Sequence, residues 1–207
     1  MISNQKLNDF IKAVSSNSPT PGGGSVAAIT AAQGAALTGM VAALTIGKKK
    51  YAEYDTLMRE ISAKAEALAT RLSEYADKDT EAYNGVSAVL SMPKETDDEK
   101  SARGDAMQKA LKTASTVPFE VMELCLEALK LTEQAAGKSN TNAASDLGVA
   151  ALNLGAGVMG AWLNVKINLS GIKDEGFVDE YSRRGQDIHK EAFDLSAKIY
   201  RKVYEAL

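Results

Sequence analysis

The stretch "TLMREISAKAEALATRLSEYADKDTEAYNGVSAVLS", Thr56–Ser91, decides the fold class. It has no proline and one glycine, and its apolar residues Leu57, Ile61, Ala65, Leu68, Leu72 and Tyr75 recur every three or four positions. Tyr83, Val86 and Leu90 resume the same stripe. That period marks one face of an α-helix, where a strand would alternate. The pattern predicts a helix from about Tyr51 to Ser91, about 60 Å long at the usual rise. A single domain of this size buries less than that, which points to a dimer or a bend. The one interruption is the step from Tyr75 to Tyr83, and the stripe position inside it is Asp79. A carboxylate on a core stripe must be paired, bound to a ligand, or held toward its neutral form. Structural and catalytic acids read alike here. Asp77 points to a different face and reads as solvated.

The segments on either side repeat the helical period. Before it, Ser3 is placed to cap a short helix carrying Leu7, Phe10, Ile11 and Val14. "NSPTPGGG" then breaks the chain, Ser25 is placed to cap a second helix, and Gly47 closes it. After it, Thr96 and Glu99 have capping-box spacing. The helix they open runs to about Gln134, with Pro118 expected to kink it. "AAGKSNTN" precedes a fifth helix from about Ala143 to Leu169. "SGIKDEG" precedes a sixth with Tyr181, Ile188, Ala192, Leu195, Ile199 and Val203 on one face. No strand pattern and no long internal repeat is present. The fold class expected is all-α: an elongated up-and-down bundle of long helices, dimeric, with residues 1–207 as one domain.

Composition narrows the functions. The chain has 207 residues, 45% of them hydrophobic and 25% charged, the balance of a globular protein with a substantial core. A net charge of −3 argues against nucleic acid as a partner. The single cysteine, Cys125, excludes an intrachain disulfide and a thiolate cluster and sits at core spacing in "VMELCLEAL". The start "MISNQKLNDF" lacks signal-peptide regions, so the expected compartment is the cytoplasm. Val26–Ile46 carries no charge and is followed by Lys48, Lys49 and Lys50, the outline of a membrane span. Its alanines, glycines and central Gln33 fit a buried helix packed closely on its neighbours instead, and no membrane partner is expected.

Beside Asp79, candidate polar residues fall in three groups. Asp146, Asn153, Asn164 and Asn168 lie near one face of the fifth helix, as a hydrogen-bonded seam or as contacts for a flat polar ligand. Asp146 also suits the helix N-terminus. Gly22, Gly23, Gly24 and Ser25 match neither a phosphate loop nor a dinucleotide fingerprint, but a bare backbone entering a helix favours an anion. Lys48–Lys50 form a cation cluster that reads as a solvated surface or as a partner for an acidic ligand. The lone histidine, His189, supports neither a zinc site nor a serine triad and reads as structural.

Five segments taken together, "PTPGGGSVAA", "TIGKKKYAEYD", "DKDTEAYNGVSAVLSMPK", "SDLGVAALNL" and "NVKINL", resemble the formiminotransferase-cyclodeaminase C-terminal domain family in its stand-alone form, from about Leu7 to the C-terminus. The resemblance implies an all-helical homodimer that acts on tetrahydrofolate derivatives, mono- or polyglutamylated. The reaction implied is cyclisation of 5-formimidoyltetrahydrofolate to 5,10-methenyltetrahydrofolate with release of ammonia. Relatives hydrolyse the methenyl compound to 10-formyltetrahydrofolate instead, and a non-catalytic folate-binding module is the third reading. The family's catalytic aspartate lies in the segment Asp77–Tyr83, and the stripe selects Asp79 over Asp77. On this reading the catalytic pair is Asp79, which relays protons, and Asp146, which with the asparagine face holds the pterin or the folded amidine. Gly22–Gly24, Ser25, Asn140, Asn164 and Asn168 contact substrate, and Lys48, Lys49 and Lys50 attract its glutamate tail. Because the substrate supplies its own electrophile, no metal and no cofactor is expected.

Overall fold

A computed structural model describes all residues, 1–207. It contains six α-helices and no strand: α1 Leu7–Val14, α2 Gly23–Ala43, α3 Asp55–Leu90, α4 Asp97–Ala135, α5 Ala144–Leu169 and α6 Glu175–Tyr204. Short 3-10 turns at Ile2–Asn4, Lys49–Tyr54 and Thr141–Ala143 precede α1, α3 and α5. Ser25 on α2 meets Asp79 on α3, and Val89 on α3 meets Arg103 on α4. Asn168 on α5 meets Ala114 on α4, and Gly148 on α5 faces Val203 on α6. Each pairing joins the first half of one helix to the second half of its neighbour, so α2 to α6 run alternately up and down.

Small residues set the centre of this bundle. A Cβ on Gly34 would come within 2.8 Å of Leu154, and one on Gly157 within 2.7 Å of Ala31, so α2 and α5 touch almost backbone to backbone. α2 and Thr141–Leu169 are long and apolar enough to cross a membrane by length and composition. Only 44% and 56% of their most apolar windows are buried in the bundle, so each helix has one face on its neighbours and one face open. The open faces carry Val26 and Met40 on α2 and Val149, Leu152, Leu163 and Ile167 on α5. Cys125 is fully buried in the core, and burial pushes its thiol far above the usual range.

Several helix starts differ from their sequence reading. The Thr96–Glu99 capping box forms as expected. Lys6 rather than Ser3 precedes α1, because Ser3 is drawn away to Asp77. Gly22 is the N-cap of α2, which places Ser25 in the third helical position, buried and turned toward α3. Asp77 is likewise not solvated: it accepts hydrogen bonds from the amides of Ile2 and Ser3 and, at 2.6 Å, from the Ser3 hydroxyl. The stripe of α3 is core only as far as Ala76. Past it Tyr83 and Leu90 are exposed and Val86 is half-buried, so Asp79 stands where the core face of α3 gives way to an opening.

Candidate active site

That opening is a cavity of about 290 Å³ between the start of α2, the later half of α3 and the end of α5, walled by Gly23, Asp79, Tyr83, Ala114, Asn164 and Asn168. Pro19 and Thr20 of the connecting loop close one side, with the Thr20–Pro21 peptide bond cis. A larger depression of about 630 Å³ lies between the N-terminal turn, α2 and α3, but it is shallow. The smaller cavity is the chemical candidate, because it alone joins a partly buried carboxyl group to a helix N-terminus.

Asp79 is placed by two features. Gly24 leaves room for it: a Cβ there would stand 2.1 Å from Asp79 Oδ1 and 2.8 Å from Oδ2. Only a residue without a side chain permits that approach. Ser25, with no solvent exposure, then holds the carboxyl, its Oγ lying 2.8 Å from Asp79 Oδ2 and 3.0 Å from the Ala76 carbonyl oxygen. A hydroxyl has one proton to donate and lone pairs to accept with. When Asp79 is ionised, Ser25 donates to it. When Asp79 is protonated, the carboxyl donates to Ser25 and the hydroxyl turns to Ala76. The carboxyl therefore keeps a partner in both protonation states. Burial pushes its pKa above the usual aspartate value, against the opposing pull of the Ser25 hydroxyl and amide. A carboxyl so placed is suited to take up and return a proton.

The two asparagines form the opposite wall. Asn164 Nδ2 donates to the Gly160 carbonyl at 2.9 Å. Asn168 Nδ2 donates to the carbonyls of Ala114, at 2.8 Å, and Asn164, at 2.9 Å. Backbone carbonyls only accept, so these bonds fix which end of each amide is nitrogen. Gly23 lies over Asn164, a Cβ there falling 3.6 Å from Nδ2.

The structure thus brings together Gly22, Gly23, Gly24, Ser25, Asp79, Asn164 and Asn168. It does not bring the remaining candidates to them within one chain. Lys48, Lys49 and Lys50 are exposed past the far end of α2, about 30 Å along the helix from Gly23. Asp146 opens α5 at that same end, about 27 Å of helix from Asn164. Asn140 is a buried joint there: its amide donates to Thr45 Oγ1 at 2.8 Å, its Nδ2 to the Leu44 carbonyl, and its Oδ1 accepts from Asn142. Beside it the hydroxyl and amide of Thr141, with Lys50, hold the Tyr51 phenol down at about 8. Sequence reasoning missed Tyr83, Val86 and Ile167 as cavity walls, although all three sit one turn or two from Asp79 or the asparagines. It also missed Ala114, which α4 contributes to the cavity wall.

The sequence model of the formiminotransferase-cyclodeaminase family matches residues 6–187. Methenyltetrahydrofolate cyclohydrolase of Methylorubrum extorquens is 41% identical over 203 residues, 98% of each chain. Formimidoyltransferase-cyclodeaminase of Sus scrofa is 35% identical over 193 residues, which are 93% of this chain but 36% of that one. This chain therefore spans about a third of the bifunctional relative. The crystal structure of formiminotetrahydrofolate cyclodeaminase from Thermotoga maritima superposes with a TM-score of 0.83 and 30% identity, covering 100% of this chain and 98% of that one.

Proposed function

The chain belongs to the formiminotransferase-cyclodeaminase family, and from that premise we propose that it is a folate one-carbon enzyme that cyclises 5-formimidoyltetrahydrofolate to 5,10-methenyltetrahydrofolate and ammonia at the Asp79 cavity. The observation that carries this reading is the partly buried Asp79 carboxyl, seated in the space of a missing Gly24 side chain and partnered by Ser25 in either protonation state. The Thermotoga structure, matched over 98% of its chain, is that of a formiminotetrahydrofolate cyclodeaminase.

In the reaction N10 attacks the carbon of the N5 amidinium, forming an N10–C bond and a tetrahedral centre. The bond from that carbon to the terminal nitrogen then breaks. The positive charge of the amidinium remains on the methenyl product, so the net proton movement is from N10 to the departing nitrogen. Asp79 accepts that proton from N10 and returns it to the departing nitrogen, while Ser25 follows its protonation state. Asn164 and Asn168 line the cavity for the pterin ring. The cavity's small volume leaves the glutamate end outside.

A second reading is methenyltetrahydrofolate cyclohydrolase, favoured by the 41% identical Methylorubrum protein of matching length. There water adds to the methenyl carbon, the N5–C bond breaks as N5 takes a proton, and one proton leaves with formation of the 10-formyl product. Asp79 would serve as base and then acid. Incubating the protein with each folate and following methenyl absorbance separates the two. The first reading predicts absorbance appearing from the formimidoyl substrate. Its loss from the methenyl substrate alone would establish the second, and no change with either would refute both. The reading extends to a homodimer built on the open apolar faces of α2 and α5.

A further inference from the structure

Pro118 lies inside α4, where proline has no N–H to give the carbonyl four residues earlier. That carbonyl belongs to Ala114, a buried residue in the cavity wall, and a buried carbonyl without a partner is expensive. Asn168 Nδ2 occupies the vacancy from α5, at 2.8 Å. Its second proton goes to the Asn164 carbonyl at 2.9 Å, so both donors are committed. Oδ1 has no protein partner and remains accessible in the cavity wall.

We propose that Pro118 is a positioning residue: by freeing the Ala114 carbonyl it locks the Asn168 amide so that Oδ1 faces the cavity as a fixed acceptor for an N–H of the substrate's reduced pterin ring. The inference rests on the folate reading above. An asparagine free to rotate could offer either a donor or an acceptor. This one offers only the acceptor, and it selects the ring edge that carries N–H groups over one that carries a carbonyl. α4 continues through the proline with its capping bonds intact, so the helix tolerates the residue because α5 supplies the missing donor.

The test is a double-mutant cycle between Pro118→Ala and Asn168→Ala, read as the Kd of 5-formyltetrahydrofolate and the KM of the turned-over folate. Alanine at 118 returns an N–H to Ala114 and releases Asn168. Each single variant is expected to weaken binding about tenfold, with kcat falling far less. The double variant is expected to be no weaker than Asn168→Ala alone, because both act through one contact. Additive losses, or unchanged binding in Pro118→Ala, would overturn the proposal while leaving the folate reading intact. If the wild type neither binds nor converts any folate, both fall together. Asn168→Asp keeps the test open should Pro118→Ala fold poorly. Its carboxylate cannot donate to Ala114, so binding should be weak at neutral pH and recover as the introduced acid is protonated. Wild-type affinity at neutral pH in that variant would also contradict the positioning role.

Discussion

At the residue scale the two aspartates of one turn of α3 do opposite things. Burial lifts the Asp79 carboxyl above the usual range, with Ser25 opposing. Burial acts on Asp77 too, but the Ser3 hydroxyl and the amides of Ile2 and Ser3, helped by the N-terminal ammonium, outweigh it and leave its pKa lowered. The linkage signs therefore differ. Asp79 favours the folded state below its unfolded pKa, and this contribution is lost as pH rises through the raised value. Asp77 favours it above its unfolded pKa, and this is lost as pH falls through the lowered value. Ser25→Ala should push Asp79 further up, so the acidic limb of the kcat–pH profile moves to higher pH; an unmoved limb would remove Ser25 from the proton path. Asp77→Asn should leave turnover near wild type but speed hydrogen exchange at the Ile2 and Ser3 amides. A large loss of turnover in that variant would transfer the acid role to Asp77. The period of α3 turns Asp79 inward against Ser25, but the same reading left Asp77 solvated. It missed the job of Asp77, because its partners are the first residues of the chain and lie 75 and 74 positions away.

At the element scale the site is made where α2 begins, and the glycines divide their work. Gly24 is the position that accepts no side chain, with three Asp79 carboxyl atoms inside 2.8 Å of a would-be Cβ. Gly24→Ala should displace the carboxyl, lower kcat at least about tenfold, and destabilise by about 1–3 kcal/mol from overpacking. Gly85, with nothing within 4 Å of a would-be Cβ, is the control on α3: Gly85→Ala should stabilise by up to about 1 kcal/mol through helix propensity. Thermal melts and turnover on the two variants check both statements, and a harmless Gly24→Ala would mean that Asp79 is not held as described. The helices themselves were legible, because a 3.6-residue period over 36 residues leaves little alternative. Their caps were less so. Ser25 has the residue type of an N-cap, but the glycine before it enters the helix first, and the hydroxyl bonds to Asp79 and the Ala76 carbonyl of α3 instead of the helix end.

At the scale of the whole molecule, alternation of helix direction separates residues that the sequence lists together. α2 puts Gly22–Ser25 at one end of the bundle and Lys48–Lys50 at the other, and α5 does the same with Asn164 and Asn168 against Asp146. Sequence periodicity assigned those residues to faces, and a face runs the full length of a helix, so position along the axis was not legible. The open apolar faces of α2 and α5 belong to this scale too. Light scattering on the purified protein should give twice 21.9 kDa, and a monomer at micromolar concentration would contradict the dimer. The proposed reaction depends on the carboxyl that the bundle seats against Gly24. Its most direct test is Asp79→Asn, with Kd for 5-formyltetrahydrofolate and turnover measured on the same preparation. The account predicts a folded protein that binds within a few-fold of wild type and turns over at least about a hundredfold more slowly. Turnover at the wild-type rate would contradict it.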